Sequence, residues 1–261
     1  MQIPEDITHK CQNWVRDGSP EAMQQMYDYL LTCDFTVLHF VRNDDYAIQN
    51  CTSNQIWLNQ AVRFNDEHDI QVCMPQEFDF LNDFDSWNIK LRDFNQNFIR
   101  ESVALASLTT KHNLYYCSLW DRYADAGTGI CIEYHITDLI QSCLTYNHDW
   151  HYAGQLYMIA PVIYKNDAHI MYFDNTNTQQ IFFSKDISWA SEHEWRILLQ
   201  DNKPIVHGSY FDCAPRAIYL GYHCDFDKNK DLISLVQKHN IPIFQTHMVL
   251  GRNKIQIVPI L

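Results

Sequence analysis

The sequence predicts an α+β fold, with a central twisted, mostly antiparallel sheet flanked by helices and a helical extension at the N-terminus. Three observations predict it. Apolar segments with strand-like alternation recur between residues 35 and 260. Helix-like segments fall among them without a regular βαβ rhythm. The first 34 residues carry helical spacing only. With 261 residues, 46% of them hydrophobic and 14% aromatic, the chain can bury a substantial core and has a globular composition.

Residues 1–34 read as two helices. Apolar residues at helical spacing over 6–15 stop at "GSP", and "SPEAMQQMYDYLL" restarts with Ser19 as N-cap and Pro20 at the first helical position. No linker divides the chain after residue 35, so 1–34 is expected to extend a single domain over 35–261. "FTVLHFV" (35–41) is a strand, "NDDYAIQNCTSN" a short capped helix and "QIWLNQ" (55–60) a second strand. The stretch 64–100 has no clean period and reads as a loop followed by a helix from about Asp85. "ESVALASLT" (101–109) is near-continuously apolar, as in a strand buried on both faces. "LYYCSLWDRYAD" is a helix ended by "AGTG", and "ICIEYHI" is again a strand. Further strands are expected at 157–164, 194–200, 216–221, 241–246 and 254–260, and an amphipathic helix at 227–240.

Charge and composition exclude several functions. The net charge is −13, and residues 66–85 hold seven acids with no Lys or Arg, a surface that repels phosphate backbones and disfavours general nucleic-acid affinity. No apolar run approaches the ~20 residues that cross a bilayer, and "MQIPEDITHKCQNWV" is too acidic and polar for a signal peptide. A cytoplasmic protein without a membrane partner is expected. The nine cysteines are odd in number and irregularly spaced, which fits reduced, mostly buried thiols. P-loop, dinucleotide-fold and nucleophile-elbow signatures are absent. His148 and His151 lie three apart but lack an H-E-x-x-H context, and no metal is expected.

"SEHEWRILL" (191–199) is the unusual stretch. With period two, Glu194, Arg196 and Leu198 share one face and Trp195, Ile197 and Leu199 the other. A strand that opens one face with Glu and Arg is a poor way to build a core, so that face is expected to line a cleft. Together with "LHFVRND" (38–44), "IWLNQAVRFNDEHD" (56–69) and "LWDRYADAGTGICIEY" (119–134), the segment "KDISWASEHEWRILL" (185–199) resembles a bacterial family catalogued as domain of unknown function 2971. The resemblance runs over about 35–260. Arg42, Trp57, Phe64, Asn65, Asp66, Asp69, Trp120, Tyr123, Ala124, Gly129, Cys131, Lys185, Trp189, Glu192, Glu194, Trp195 and Arg196 stand at family positions. His39, Glu67 and Arg122 depart from them. The family implies no activity.

Chemistry therefore comes from residue types. An enzyme that breaks a glycosidic bond to nicotinamide needs a cation for the pyrophosphate, an aromatic face for the ring and a carboxylate beside the oxocarbenium-like centre. Arg42, Tyr123 or Trp120, and Glu194 supply such a set, which looks like the polar–aromatic–glutamate triad of ADP-ribosyltransferases. "LHFVRNDDYAIQN" is similar to the first strand and helix of the DNA-modifying toxins of that kind. The expected protein consumes NAD and transfers its ribosyl group to an unnamed acceptor, with Glu194, Arg42 and Tyr123 catalytic and His39, Trp120, Asn65, Lys185 and Arg196 binding the nucleotide.

Competing readings stand beside it. Arg42 can form a structural ion pair with Asp44 or Glu194. Trp120, Trp189 and Trp195 can be core residues, and Lys185 can bind phosphate or end a helix. Glu133 is the rival carboxylate, and Glu192 is expected in solvent. Asn65 and Asp66 can cap a turn beside the site. A non-catalytic ligand- or protein-binding module is the alternative function. A metal-dependent nuclease using Asp66, Asp69 and Glu194 is disfavoured by the acidic surface.

Overall fold

The computed structural model describes residues 4–42, 45–63, 100–150, 154–166, 178–225, 227, 229–249, 251 and 254–260. Asn65, Asp66, Asp69, the expected loop and helix within 64–99, and His151 of the histidine pair lie outside the described residues.

Two helices open the chain, α1 (Pro4–Asp17) and α2 (Pro20–Leu30). The Ser19 side chain accepts a hydrogen bond from the Ala22 amide at 3.2 Å, and Pro20 begins the first turn, so α2 starts where its cap dictates. Strand β1 (Thr36–Val41) leads through α3 (Asp45–Ser53) into β2 (Gln55–Gln60) and β3 (Val103–Thr110). Then come α4 (Cys117–Tyr123), β4 (Ile130–His135), α5 (Ile136–Trp150), β5 (Gln155–Pro161) and β6 (Ile163–Lys165). The chain continues with α6 (Thr178–Phe182), β7 (Ser184–Asp186), β8 (Glu194–Asp201), β9 (Ser209–Asp212) and β10 (Ala217–Leu220), and ends with α7 (Lys230–Lys238), β11 (Ile243–Met248) and β12 (Ile255–Pro259).

Among the described residues, ten strands form one sheet, antiparallel except for the parallel pair β10–β11, which bears out the α+β expectation. One path runs β12-β11-β10-β4-β1-β3 and continues through β8 to β5. The other edge of β3 is shared. β1 pairs with its C-terminal end (Val37 with Thr110, Leu38 with Thr109), and β2 pairs near its N-terminal end (Asn59 with Leu105, Gln60 with Ala104). Between them, Ala106, Ser107 and Leu108 have no ladder partner on that edge among the described residues. The sheet forks there: β1 stays with β4, β2 turns to β9, and α3 arches from the end of one to the start of the other.

The structure also adds elements and divides one that the sequence reading joined. The strand expected at 157–164 is two, broken at Val162, whose amide donates to the Glu194 carbonyl at 2.9 Å. The 15-residue helix α5 had no sequence assignment, because it follows β4 directly and its run "ITDLIQSCLTYNHDW" starts with β-branched residues that extend the strand pattern. No disulfide joins any two of the eight described cysteines, and seven of them are buried. No helix among the described residues is long and apolar enough to cross a membrane.

The N-terminal helices are built into the main core. Ile7, Cys11 and Val15 recur at four-residue spacing on α1, Met23, Met26, Tyr27 and Leu30 line α2, and all seven join the cluster that holds Leu105, Ile159 and Trp195. The Tyr27 hydroxyl accepts from the Ile159 amide at 3.0 Å, and Gln12 Nε2 donates to the Val162 carbonyl at 2.7 Å. Deleting residues 1–34 therefore exposes a large part of that core. The truncated protein is expected to show no cooperative thermal transition by calorimetry, and a transition close to that of the full chain would contradict this packing.

Candidate functional site at the sheet fork

A cavity of about 800 Å³ occupies the fork. Its floor is the unladdered middle of β3, and Ala47 and Asn50 of α3 and Trp57 of β2 line it as well. Ser107 is the exposed position of an otherwise buried strand, so it opens into this space. The other wall is α4, whose end is drawn to the end of β1 by the turn at 124–129. A Cβ on Gly129 would collide with the Val41 carbonyl, and only glycine lets the two segments meet there. That contact brings Arg42 and Tyr123 to the same cavity.

Two carboxylates and three cations form a connected network behind and along one wall. Glu194, at the start of β8, is buried; its Oε1 accepts from Ser107 Oγ at 2.7 Å and Arg196 Nε at 2.8 Å. Its Oε2 accepts from Lys185 Nζ at 3.0 Å. Lys185 Nζ reaches Glu192 Oε2 as well, at 2.9 Å. Arg122 Nη1 and the Tyr123 hydroxyl both donate to Glu192 Oε1 at 2.7 Å. His193, between the two glutamates, adopts a left-handed conformation (φ 45°), which turns the chain from the 3-10 segment Ile187–Glu192 into β8 and lets both carboxylates meet one lysine. Trp189 sits against both cations, its ring centre 4.7 Å from Lys185 Nζ and 5.2 Å from Arg122 Cζ.

The electrostatics follow from this packing. Burial alone would raise the Glu194 pKa, but the Arg196 and Lys185 charges and their hydrogen bonds outweigh it and bring it down to about 2. Burial and the negative Glu192 raise that of Tyr123, so its phenol stays protonated and donating. His39 is brought down to about 4 by burial, leaving a neutral imidazole at the cavity. Among the described residues, four cations (Arg42, Arg63, Arg122 and Lys185) line the cavity against two carboxylates. On a chain of net charge −13, that described lining carries a local surplus of positive charge.

The structure brings Arg42, His39, Tyr123, Lys185 and Glu194 to one cavity, but not all the expected residues. Trp120 is fully buried, edge-on to Phe40 with ring centres 4.9 Å apart, and donates Nε1 to the Leu114 carbonyl at 3.1 Å; it offers no face to a ligand. Arg196 is also fully buried. It lies behind Glu194, with Nη1 on the Phe182 carbonyl at 2.7 Å, and does not line the cleft. Glu192 is buried in the network rather than solvated. Glu133, the rival carboxylate, is away from the cavity and pairs with Lys111 Nζ at 2.8 Å and with the Tyr219 hydroxyl. Asn50, Arg63 and Ser107 were missed. Ser107 carried a signal, a lone hydroxyl inside "VALASLTT"; the other two carried none.

Glu194 keeps the buried Arg196 charge paired, so Glu194→Gln is expected to cost about 3–5 kcal/mol of stability and to lower Tm by on the order of 10 °C. The folded-state pKa lies near 2, against 4.5 for an ordinary glutamate, so Glu194 contributes fully above pH 4.5 and loses that contribution as pH falls from 4.5 towards 2. Melting curves across this range are expected to show the wild type losing stability more steeply than Glu194→Gln. Parallel acid limbs would contradict the assignment.

Residues 119–197 match the model of a family described as "Protein of unknown function (DUF2971)". The matched stretch holds Arg122, Tyr123, Lys185, Trp189, Glu192, Glu194 and Arg196, but not His39, Arg42 or Asn50 on the facing wall. No curated protein and no solved structure matches the chain. The polar network behind the cavity thus falls within a stretch similar to a family of unknown function.

Proposed function

We propose that the fork cavity binds a phosphate-bearing nucleotide and that the protein is an NAD-consuming glycosyl-transfer enzyme resembling ADP-ribosyltransferases. The observation that carries this reading is the concentration, among the described residues, of four cations with aromatic residues and two carboxylates in one cavity of an otherwise acidic chain. The volume lies within the ~300–1,000 Å³ of small-molecule sites. Arg42 and Arg122 would hold the pyrophosphate by charge-assisted hydrogen bonds. Tyr123, 40% exposed, would present its ring to the nicotinamide. The bond from ribose C1′ to the nicotinamide nitrogen breaks with its electron pair leaving on nicotinamide. Glu194 would then stabilise the positive charge on the ribosyl group until the acceptor's nucleophile attacks C1′ and releases its proton.

A specific observation favours the alternative, a ligand-binding module without catalysis. Both Glu194 oxygens already accept hydrogen bonds from protein groups. The two readings share a ligand and differ in nicotinamide release. Arg42 is exposed at the cavity, so Arg42→Ala is expected to leave Tm within about 1 °C of the wild type, while NAD affinity falls by about 10–100-fold. Titration calorimetry and an assay of released nicotinamide on the full chain check this. NAD binding without release would establish the module, and no binding of NAD, ADP-ribose or pyrophosphate would overturn both readings.

A further inference from the structure

Glu194 is 3% exposed, so its carboxylate presents almost no surface to a ligand in the fork cavity. Its hydrogen-bond partner Ser107 does. Ser107 is the exposed residue of an otherwise buried strand, lines the cavity, and donates its hydroxyl to Glu194 Oε1 at 2.7 Å. The described lining holds two more hydroxyls. That of Thr109 is buried and donates to the Glu192 carbonyl, and that of Tyr123 donates to the Glu192 carboxylate. Among the three, Ser107 alone joins exposure at the cavity to a hydrogen bond with Glu194. A serine hydroxyl is a weak nucleophile towards ordinary electrophiles. A ribosyl cation is different: a neutral hydroxyl captures it, provided that a base takes up the proton. Glu194, ionised at neutral pH, already holds that proton in a hydrogen bond.

We propose that Ser107 Oγ is the acceptor of the transferred ADP-ribosyl group, so that the protein modifies itself inside its own cavity. This inference rests on the NAD-consuming reading above and supplies its acceptor. The bond from C1′ to the nicotinamide nitrogen breaks with its electron pair leaving on nicotinamide. A lone pair of Ser107 Oγ forms the new bond to C1′, and the hydroxyl proton passes to Glu194 Oε1 and on to solvent. One NAD and one serine thus give one nicotinamide, one proton and one serine glycoside. A cation drawn towards Glu194 meets the hydroxyl bonded to that carboxylate before any acceptor that must diffuse in. The product is an alkyl glycoside, which persists in water where a glycosyl ester of a carboxylate would hydrolyse. Each chain therefore reacts once, and the attached group keeps its cavity filled.

The test incubates the full chain with NAD and follows released nicotinamide, the intact mass and the modified peptide by mass spectrometry. The wild type is expected to gain a single ADP-ribosyl group, carried by Ser107 in the peptide covering 103–110, while nicotinamide release stops at a single equivalent per chain. Ser107→Ala is expected to lose the mass gain and to bind NAD within about threefold of the wild type by titration calorimetry, since only one hydrogen bond is removed. Ser107→Thr, which keeps a hydroxyl, is expected to restore the modification. Nicotinamide released over many equivalents without a mass gain would overturn Ser107 as acceptor and leave the NAD-consuming reading standing. A group found on any other residue, or a mass gain that persists in Ser107→Ala, would do the same. If Ser107→Ala does not fold, fragmentation of the wild-type peptide decides between Ser107 and its neighbours Thr109 and Thr110. NAD bound without nicotinamide release, or no NAD binding, would overturn the enzyme reading and this inference together.

Discussion

The edge of β3 can ladder with β1 or with β2 at any residue, but not with both, and the chain divides that edge between them. The division leaves the middle of a buried strand open on one side and makes a cavity inside the sheet rather than on its surface. The close contact at Gly129 holds the α4 wall against β1, and α3 spans the opening. Each functional side chain takes its place from this fork. Ser107 is exposed only because the ladder parts there, and Arg42 and Asn50 face the space because they lie on the arch from β1 to β2.

A cavity within a sheet is a demanding place for charge. The two glutamates are buried at its wall, and a buried carboxylate without partners would be neutralised or would unfold the chain. Lys185 bridges both, Arg196 secures Glu194 from behind, and Arg122 with Tyr123 secures Glu192 from the open side. Buried networks of this kind are often no more stable than an apolar core of the same shape. What the network adds is a fixed field at the cavity: a surplus of positive charge at the lining, with ionised carboxylates beneath it. The same network divides the roles. Arg196 is fully buried against Glu194 and the Phe182 carbonyl, whereas Arg122, with its side chain 46% exposed, can exchange Glu192 for an anion.

Much of this was legible in the sequence where local chemistry decides the outcome. Ser19-Pro20 marks the start of α2, the alternation of "QIWLNQ" coincides with β2, and the odd Glu–Arg face of "EWRILL" marks the network. Long-range pairing decided the rest. Period two places Arg196 on the same face as Glu194, as found, but cannot say that β5 and β3 flank the strand and seal the guanidinium inside. Trp120 and Tyr123 looked equivalent as stacking faces; the approach of Phe40 from strand β1 buries the first, while the second reaches the cavity. Asn50 sits in an ordinary polar helix sequence, and only the arch over the fork brings it to the cavity.

Hydrogen exchange followed by mass spectrometry, with and without NAD, tests the central claim that the fork is the ligand site. The unladdered edge of β3 leaves backbone groups that a ligand would cover. The account predicts that NAD slows exchange in peptides covering 36–42, 103–110 and 117–123 and leaves the outer strands β11 and β12 unchanged. Protection confined to other segments, or unaltered exchange at saturating NAD, would contradict it.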